Sequence, residues 1–199
     1  MLRAVFDFAA HETTPAAPGE LELIQRFMNL HEHRAGVRGD LPPSPELVKW
    51  FLVDRGLMDD GDPWTHADHK LALDLIEALH AKVRENYAEP AGSRDVAVID
   101  RVTDAAGLTP RFGLAGPPRL EPKATGAAGG LGGIVAIAFL AQLDGRWGHL
   151  KNCAHETCRG VFFDHSKNHS GKWCSMQKCG NRAKAKAWRE RHEARGRRA

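Results

Sequence analysis

Cys153-Ala154-His155-Glu156-Thr157-Cys158 and Cys174-Ser175-Met176-Gln177-Lys178-Cys179 contain all four cysteines of this 199-residue chain. They form two C-x4-C pairs separated by fifteen residues. A structural zinc ion takes four soft or borderline ligands in a tetrahedron, and two close pairs let a loop and a helix start each supply half of that shell. The metal then substitutes for the core that so short a segment lacks. Two disulfides would use the same four thiols. Against them, the chain opens Met1-Leu2-Arg3-Ala4 without the apolar segment of a signal peptide, and no long apolar stretch is expected elsewhere. A cytoplasmic location is expected, and zinc is favoured over disulfides. A redox pair would be spaced C-x-x-C, and a catalytic zinc would keep one position open. His155, His165 and His169 lie inside the segment. With four thiolates available they are expected to be exposed or hydrogen-bonding groups, not ligands.

Directly after the last cysteine comes Gly180-Asn181-Arg182-Ala183-Lys184-Ala185-Lys186-Ala187-Trp188-Arg189-Glu190-Arg191, helix-favouring and cationic. Residues 172–199 carry ten Lys/Arg against two Asp/Glu, a local balance of +8 in a chain of net +3, so residues 1–171 sum to −5. An acidic body with a basic, metal-braced end can orient itself on a polyanion. Lys178, Arg182, Lys184, Lys186, Arg189 and Arg191 are the candidate phosphate contacts. Arg182, Lys186 and Arg189 share one helical face, Ala183 and Ala187 permit close approach to a neighbouring surface, and Trp188 is expected to pack inward. DNA is the expected partner. RNA, or an acidic protein docking on the finger, are the alternatives, and no membrane partner is expected.

The motif Lys172-Trp173-Cys174-Ser175-Met176-Gln177-Lys178-Cys179-Gly180-Asn181-Arg182, with Cys153, Cys158 and Val161-Phe162-Phe163-Asp164-His165-Ser166-Lys167-Asn168 between them, resembles the CGNR zinc finger. Cys179 to Arg182 spell that family's name. Leu23-Ile24-Gln25-Arg26-Phe27-Met28-Asn29, then Ser44-Pro45-Glu46-Leu47 and Trp50, is similar to the opening of the ABATE domain that precedes the finger in that bacterial family. Leu30 stands where a threonine is usual. The resemblance implies a stress-induced transcription regulator whose N-terminal domain responds to a small-molecule or protein signal or mediates assembly, with a homodimer as one arrangement. Asn29 is the ligand-binding candidate that the resemblance supplies; hydrogen bonding to a helix end or turn is the alternative role.

Around these motifs the chain reads as α+β: a mainly helical N-terminal domain over residues 1–144 with a small β hairpin, then a treble-clef-like zinc finger over 145–199. Arg3-Ala4-Val5-Phe6-Asp7-Phe8 has strand composition. Leu21, Ile24, Phe27 and Met28 have helical spacing. Ser44 and Pro45 start a second helix that Gly56 ends, and Thr65 with Asp68 forms a capping box for a third, carried by Leu71, Leu75, Leu79 and Val83. A further helix is expected over 94–106, stopped by Gly107. The prolines between Leu108 and Lys123 favour a hairpin or edge strands. Gly126-Ala127-Ala128-Gly129-Gly130-Leu131-Gly132-Gly133 reads as a flexible loop, since no Walker lysine or dinucleotide fingerprint accompanies it. Ile134 to Leu143 reads as an apolar helix. In the finger, Val161-Phe162-Phe163 is expected to pair with the Trp173 region, and Ser175 or Asn181 to cap the helix. Phe162, Phe163 and Trp173 are expected to wrap the metal and the domain junction.

No catalysis is expected. Asp7, His11, Glu12, His31, Glu32, His33, His66, Asp68 and His69 supply titratable groups, and His66 with His69 falls at i,i+3 spacing. No H-E-x-x-H or G-x-S-x-G motif joins them.

Overall fold

The computed structural model describes residues 14–31, 41–88, 90–114 and 116–196. The strand composition at 3–8 and the candidates Asp7, His11, Glu12, Glu32 and His33 lie outside the described residues.

Helix α1 (Leu21–Met28) buries Leu21, Ile24, Phe27 and Met28 on one stripe. Helix α2 (Pro45–Asp54) starts as its sequence dictates: the Ser44 hydroxyl accepts from the Leu47 N–H, Pro45 occupies the first turn, and Gly56 follows at φ +66°. Helix α3 (His66–Arg84) opens on the capping box of Thr65 and Asp68 and buries Leu75, Ile76, Leu79 and Val83. Helix α4 (Ser93–Ala106) ends at Gly107, which takes the left-handed conformation at φ +60°. Strands β1 (Thr109–Arg111) and β2 (Arg119–Glu121) form the expected hairpin, with Pro110 opposite Leu120.

The glycine-rich run is helical, not a loop. Helix α5 spans Gly126–Leu143. Its glycines lie where other backbone comes closest: a Cβ at Gly132 would stand 2.3 Å from the Ala106 Cβ, and one at Gly130 would stand 3.1 Å from the Leu57 carbonyl oxygen. Close packing against α4 and against the segment after α2 thus outweighs the poor helix propensity of glycine. These 18 uncharged residues also correct the expectation that no long apolar stretch exists. By length and composition α5 is long enough to cross a membrane, yet Leu131, Ile134, Ala138 and Ala141 belong to the core.

After a short 3-10 turn (Arg146–His149), strand β3 (Leu150–Asn152) pairs antiparallel with β4 (Val161–Phe163), placing Lys151 opposite Phe162. This differs from the expected pairing with the Trp173 region. Strand β4 needs a partner that buries Val161 and Phe163 together, and Leu150 supplies the apolar neighbour opposite Phe163. Trp147, Leu150, Val161 and Phe163 join the same core as α1 to α5. The finger's hairpin is therefore continuous with the helical region. Helix α6 (Asn181–Gly196) follows the second cysteine pair.

Candidate metal centre and basic helix

Cys153 lies just past β3 and its N–H donates to the Gly160 carbonyl at 2.8 Å, which closes the β3–β4 loop into a knuckle that also carries Cys158. Cys174 precedes a five-residue π-helical turn (Met176–Gly180), and Cys179 lies inside that turn. Ser175 caps it by accepting from the Lys178 N–H at 3.3 Å, whereas Asn181 begins α6. Gly180 leaves room for its neighbours, since a Cβ there would come within 2.8 Å of the Met176 sulfur.

The four Sγ atoms lie within 4.8 Å of one another, with Cys158–Cys174 and Cys174–Cys179 each at 3.7 Å. Sulfurs about 2.3 Å from a central zinc stand about 3.8 Å apart at the corners of a tetrahedron. All four thiols are free, and the separations far exceed the roughly 2.05 Å of a disulfide bond. Without a cation, such crowding cannot hold four thiolates. Hydrogen bonds from Cys158 and Cys174 hold the Cys153 thiol far below its ordinary value. Its neighbours move the other way, Cys158 up to about 12 through its bond to Cys153 and the adjacent charge. Cys174 is raised by the same bonds, and Cys179 first by burial. A divalent cation removes that mutual opposition, so the donor set fits zinc.

Phe162 and Trp173 pack on the cysteine cluster while Phe163 faces the main core, as expected of residues at the metal and the junction. His155, His165 and His169 stay outside the cluster. The His155 Nδ1 accepts from the Thr157 N–H at 3.4 Å, and the His165 Nε2 donates to the Ala16 carbonyl at 3.0 Å. His169 sets its ring edge against His149 at 4.2 Å.

Several supports of the site carry no motif of their own. Asp164 is almost fully buried (4% exposed). Its carboxylate takes the Lys151 ammonium at 2.7 Å and the N–H groups of Ser166 and Gly171 at 3.0 and 2.8 Å. Burial alone would raise this carboxyl, but the ammonium and the N–H donors together hold it well below the usual carboxylate range. Lys151 also bonds the carbonyl of His169, so one ion pair closes the whole 164–171 loop. Gly171 is required there, because a Cβ would stand 2.8 Å from the Asp164 carboxylate.

The junction with the helical region is polar at its centre. Asn29 clamps β4: its Nδ2 donates to the Val161 carbonyl at 2.8 Å and its Oδ1 accepts from the Val161 N–H at 2.7 Å. Both polar atoms of the ligand candidate are thus engaged by backbone. His80 lies between Asn152 Oδ1 at 2.7 Å and the Met28 carbonyl at 3.1 Å, and burial pushes its imidazole below the ordinary value. Arg159 of the knuckle pairs with Glu77 of α3. His66 is exposed, while the His69 Nε2 donates to the Pro43 carbonyl at 2.9 Å.

On α6, Ala183 and Ala187 form the partly buried face, and Arg182, Lys184, Lys186, Arg189 and Arg191 are exposed. Lys178 is exposed on the π-helical turn. Lys186 is tied at 2.5 Å to Glu156 of the knuckle, whereas Arg182, Lys184, Arg189 and Arg191 form no ion pair among the described residues. Trp188 corrects its expectation: it is 55% exposed and stacks on His192 with ring centroids 3.9 Å apart. It belongs to neither apolar cluster of the described residues. A comparison with family models bears on this segment. Residues 149–192 match the family model of the CGNR zinc finger. The family model covers both cysteine pairs and most of α6, and the four clustered cysteines are a donor set that could bind zinc. Among curated proteins the chain finds no match. The CGNR finger here is a metal-braced platform, compatible with nucleic-acid or protein partners, from which a cationic helix projects.

Proposed function

We propose that this protein binds DNA through α6 of its CGNR finger and regulates transcription in the cytoplasm, without catalysing a reaction. The observation that carries the reading is the continuity of the zinc site with the basic helix. The metal fixes Cys179, two residues before α6 begins, so the direction in which Arg182 and Arg189 project is set by the fold and not by a frayed tail. Fixed cations neutralise backbone phosphates and release counterions. In this reading the hairpin, knuckle and helix form a treble-clef-like unit. The helical region, ABATE-like by its Leu23 to Asn29 and Ser44 to Trp50 motifs, supplies signal response or self-association. Its exposed Phe112 and Leu114 between the strands of the β1–β2 hairpin, and Leu143 at the end of α5, are apolar groups that assembly could cover.

The experiment is duplex DNA binding by the full-length, zinc-loaded protein across a salt series. Replacing Arg182 and Arg189 with Ala is expected to weaken binding and reduce the salt slope by about 1 per lost phosphate contact. Unchanged binding in that variant, with zinc retained, would instead favour an acidic protein as the partner.

A further inference from the structure

Helix α6 presents two different cationic faces. At 3.6 residues per turn, Arg182, Lys186 and Arg189 fall on one side together with Glu193, and Lys186 is already paired with Glu156. Lys184, Trp188, Arg191 and His192 recur at i, i+4, i+7 and i+8 on another side, which contains no acidic residue. Trp188 lies at the centre of that second stripe, more than half exposed. Its partner is held in place: the His192 Nδ1 donates to the Trp188 carbonyl at 2.9 Å, and the two rings lie 28° from parallel. Trp188 stacks only on its own helix: it belongs to neither apolar cluster of the described residues, and a lysine and an arginine flank it.

We infer that this second face binds unpaired nucleotides, one base stacking on the Trp188 indole while Lys184 and Arg191 take the adjoining phosphates. The inference rests on the nucleic-acid reading above and deepens it by naming single-stranded nucleic acid as a target class. An aromatic surface offers little to duplex DNA, whose bases are already stacked, but every unpaired base presents a π-face to it. Backbone cations beside a stacking ring are the combination that single-strand binders use. The face recognises a base and a phosphate, chemistry that RNA and DNA share, so the test carries both.

The test uses full-length, zinc-loaded protein and labelled oligo-U, oligo-dT and a duplex of the same length, with affinity read by fluorescence anisotropy. Trp188→Ala is expected to weaken binding of one or both single strands by roughly 5- to 100-fold, the loss typical of a deleted stacking partner. Trp188→Phe restores most of it, and duplex binding moves less than about twofold, because the phosphate contacts on the other face remain. Loss confined to oligo-U identifies RNA, and loss confined to oligo-dT identifies DNA. Equal weakening of single strands and duplex, or no weakening of either single strand, overturns the inference. If duplex binding persists, falls in the Arg182 and Arg189 variant and ignores Trp188, while single strands also ignore it, the inference alone fails. Failure of the wild-type protein to bind any of the three removes the nucleic-acid reading as well.

Discussion

At the residue scale, the finger depends on a few buried polar groups that no motif identifies by role. Asp164 and Lys151 form an ion pair with exposures of 4% and 13%, and cutting one partner leaves the other charge unpaired. Asp164→Ala is therefore expected to cost about 3–5 kcal/mol in denaturant unfolding of the zinc-loaded protein. Asp164→Asn, which keeps the shape but not the charge, is expected to cost less. The folded-state pKa of Asp164 lies below the unfolded value, so its stabilisation is present above the unfolded carboxylate pKa and is lost as pH falls through the lowered one. Zinc leaves the thiolates on acidification in both proteins. The quantity to follow is thus the gap between wild type and Asp164→Asn, which should shrink only in acid. Asn29 poses a separate question. Asn29→Ala leaves the Val161 N–H unpaired and its carbonyl with only the long 3.5 Å bond from the Gln25 Nε2, and is expected to cost about 1–3 kcal/mol. Asn29→Asp should fail too, because a carboxylate accepts the N–H but faces the Val161 carbonyl. A fully stable Asn29→Ala would show that the clamp contributes nothing and would return Asn29 to a ligand role. The sequence singled out Asn29 and could not show its partner, which lies 132 residues away.

At the element scale, local signals decide the structure wherever they are self-contained: the Ser44-Pro45 start of α2, the Thr65–Asp68 capping box of α3 and the Gly107 stop of α4. Elements whose state depends on a distant neighbour escape them. Gly126 to Gly133 has the composition of a linker, and only the approach of Ala106 and Leu57 makes glycine the residue that α5 needs. The same blindness affected β4, whose partner precedes the first cysteine and not the second pair. It also affected Trp188, because nothing in a local window shows whether a helix face has a neighbour. The α5 account makes a signed prediction. Gly→Ala inside a helix normally stabilises by roughly 0.5–1 kcal/mol. Gly132→Ala is expected to destabilise instead, by about 1–3 kcal/mol, because its Cβ would meet the Ala106 Cβ. Gly133→Ala meets only the Leu57 Cδ2 at 3.0 Å, the movable end of a side chain, and should be milder. Thermal melts of the two variants check the order, and a Gly132→Ala protein as stable as wild type would contradict the packing argument.

At the scale of the whole molecule, the four ligands and the basic helix were legible because their signals are spacing and charge, which survive in one dimension. The continuity between finger and body was not. Trp147, Leu150, Val161 and Phe163 complete the main core, while Asn29, His80 and Arg159 hydrogen-bond or pair across the same junction. Removing zinc is thus expected to lower the melting temperature of the full chain and not to release an independently melting finger. Two well-separated transitions, with the first alone sensitive to a chelator, would show that the junction is weak. Together the zinc site, the shared core and the junction aim α6, and the functional account depends on that aim. The most direct test is duplex DNA affinity of the full-length protein against salt, before and after zinc is stripped. The account predicts tight binding with a steep salt slope in the zinc-loaded protein, lost on stripping and restored by adding one zinc per chain. Binding that is indifferent to zinc, or absent at low salt with zinc bound to all four cysteines, would contradict it.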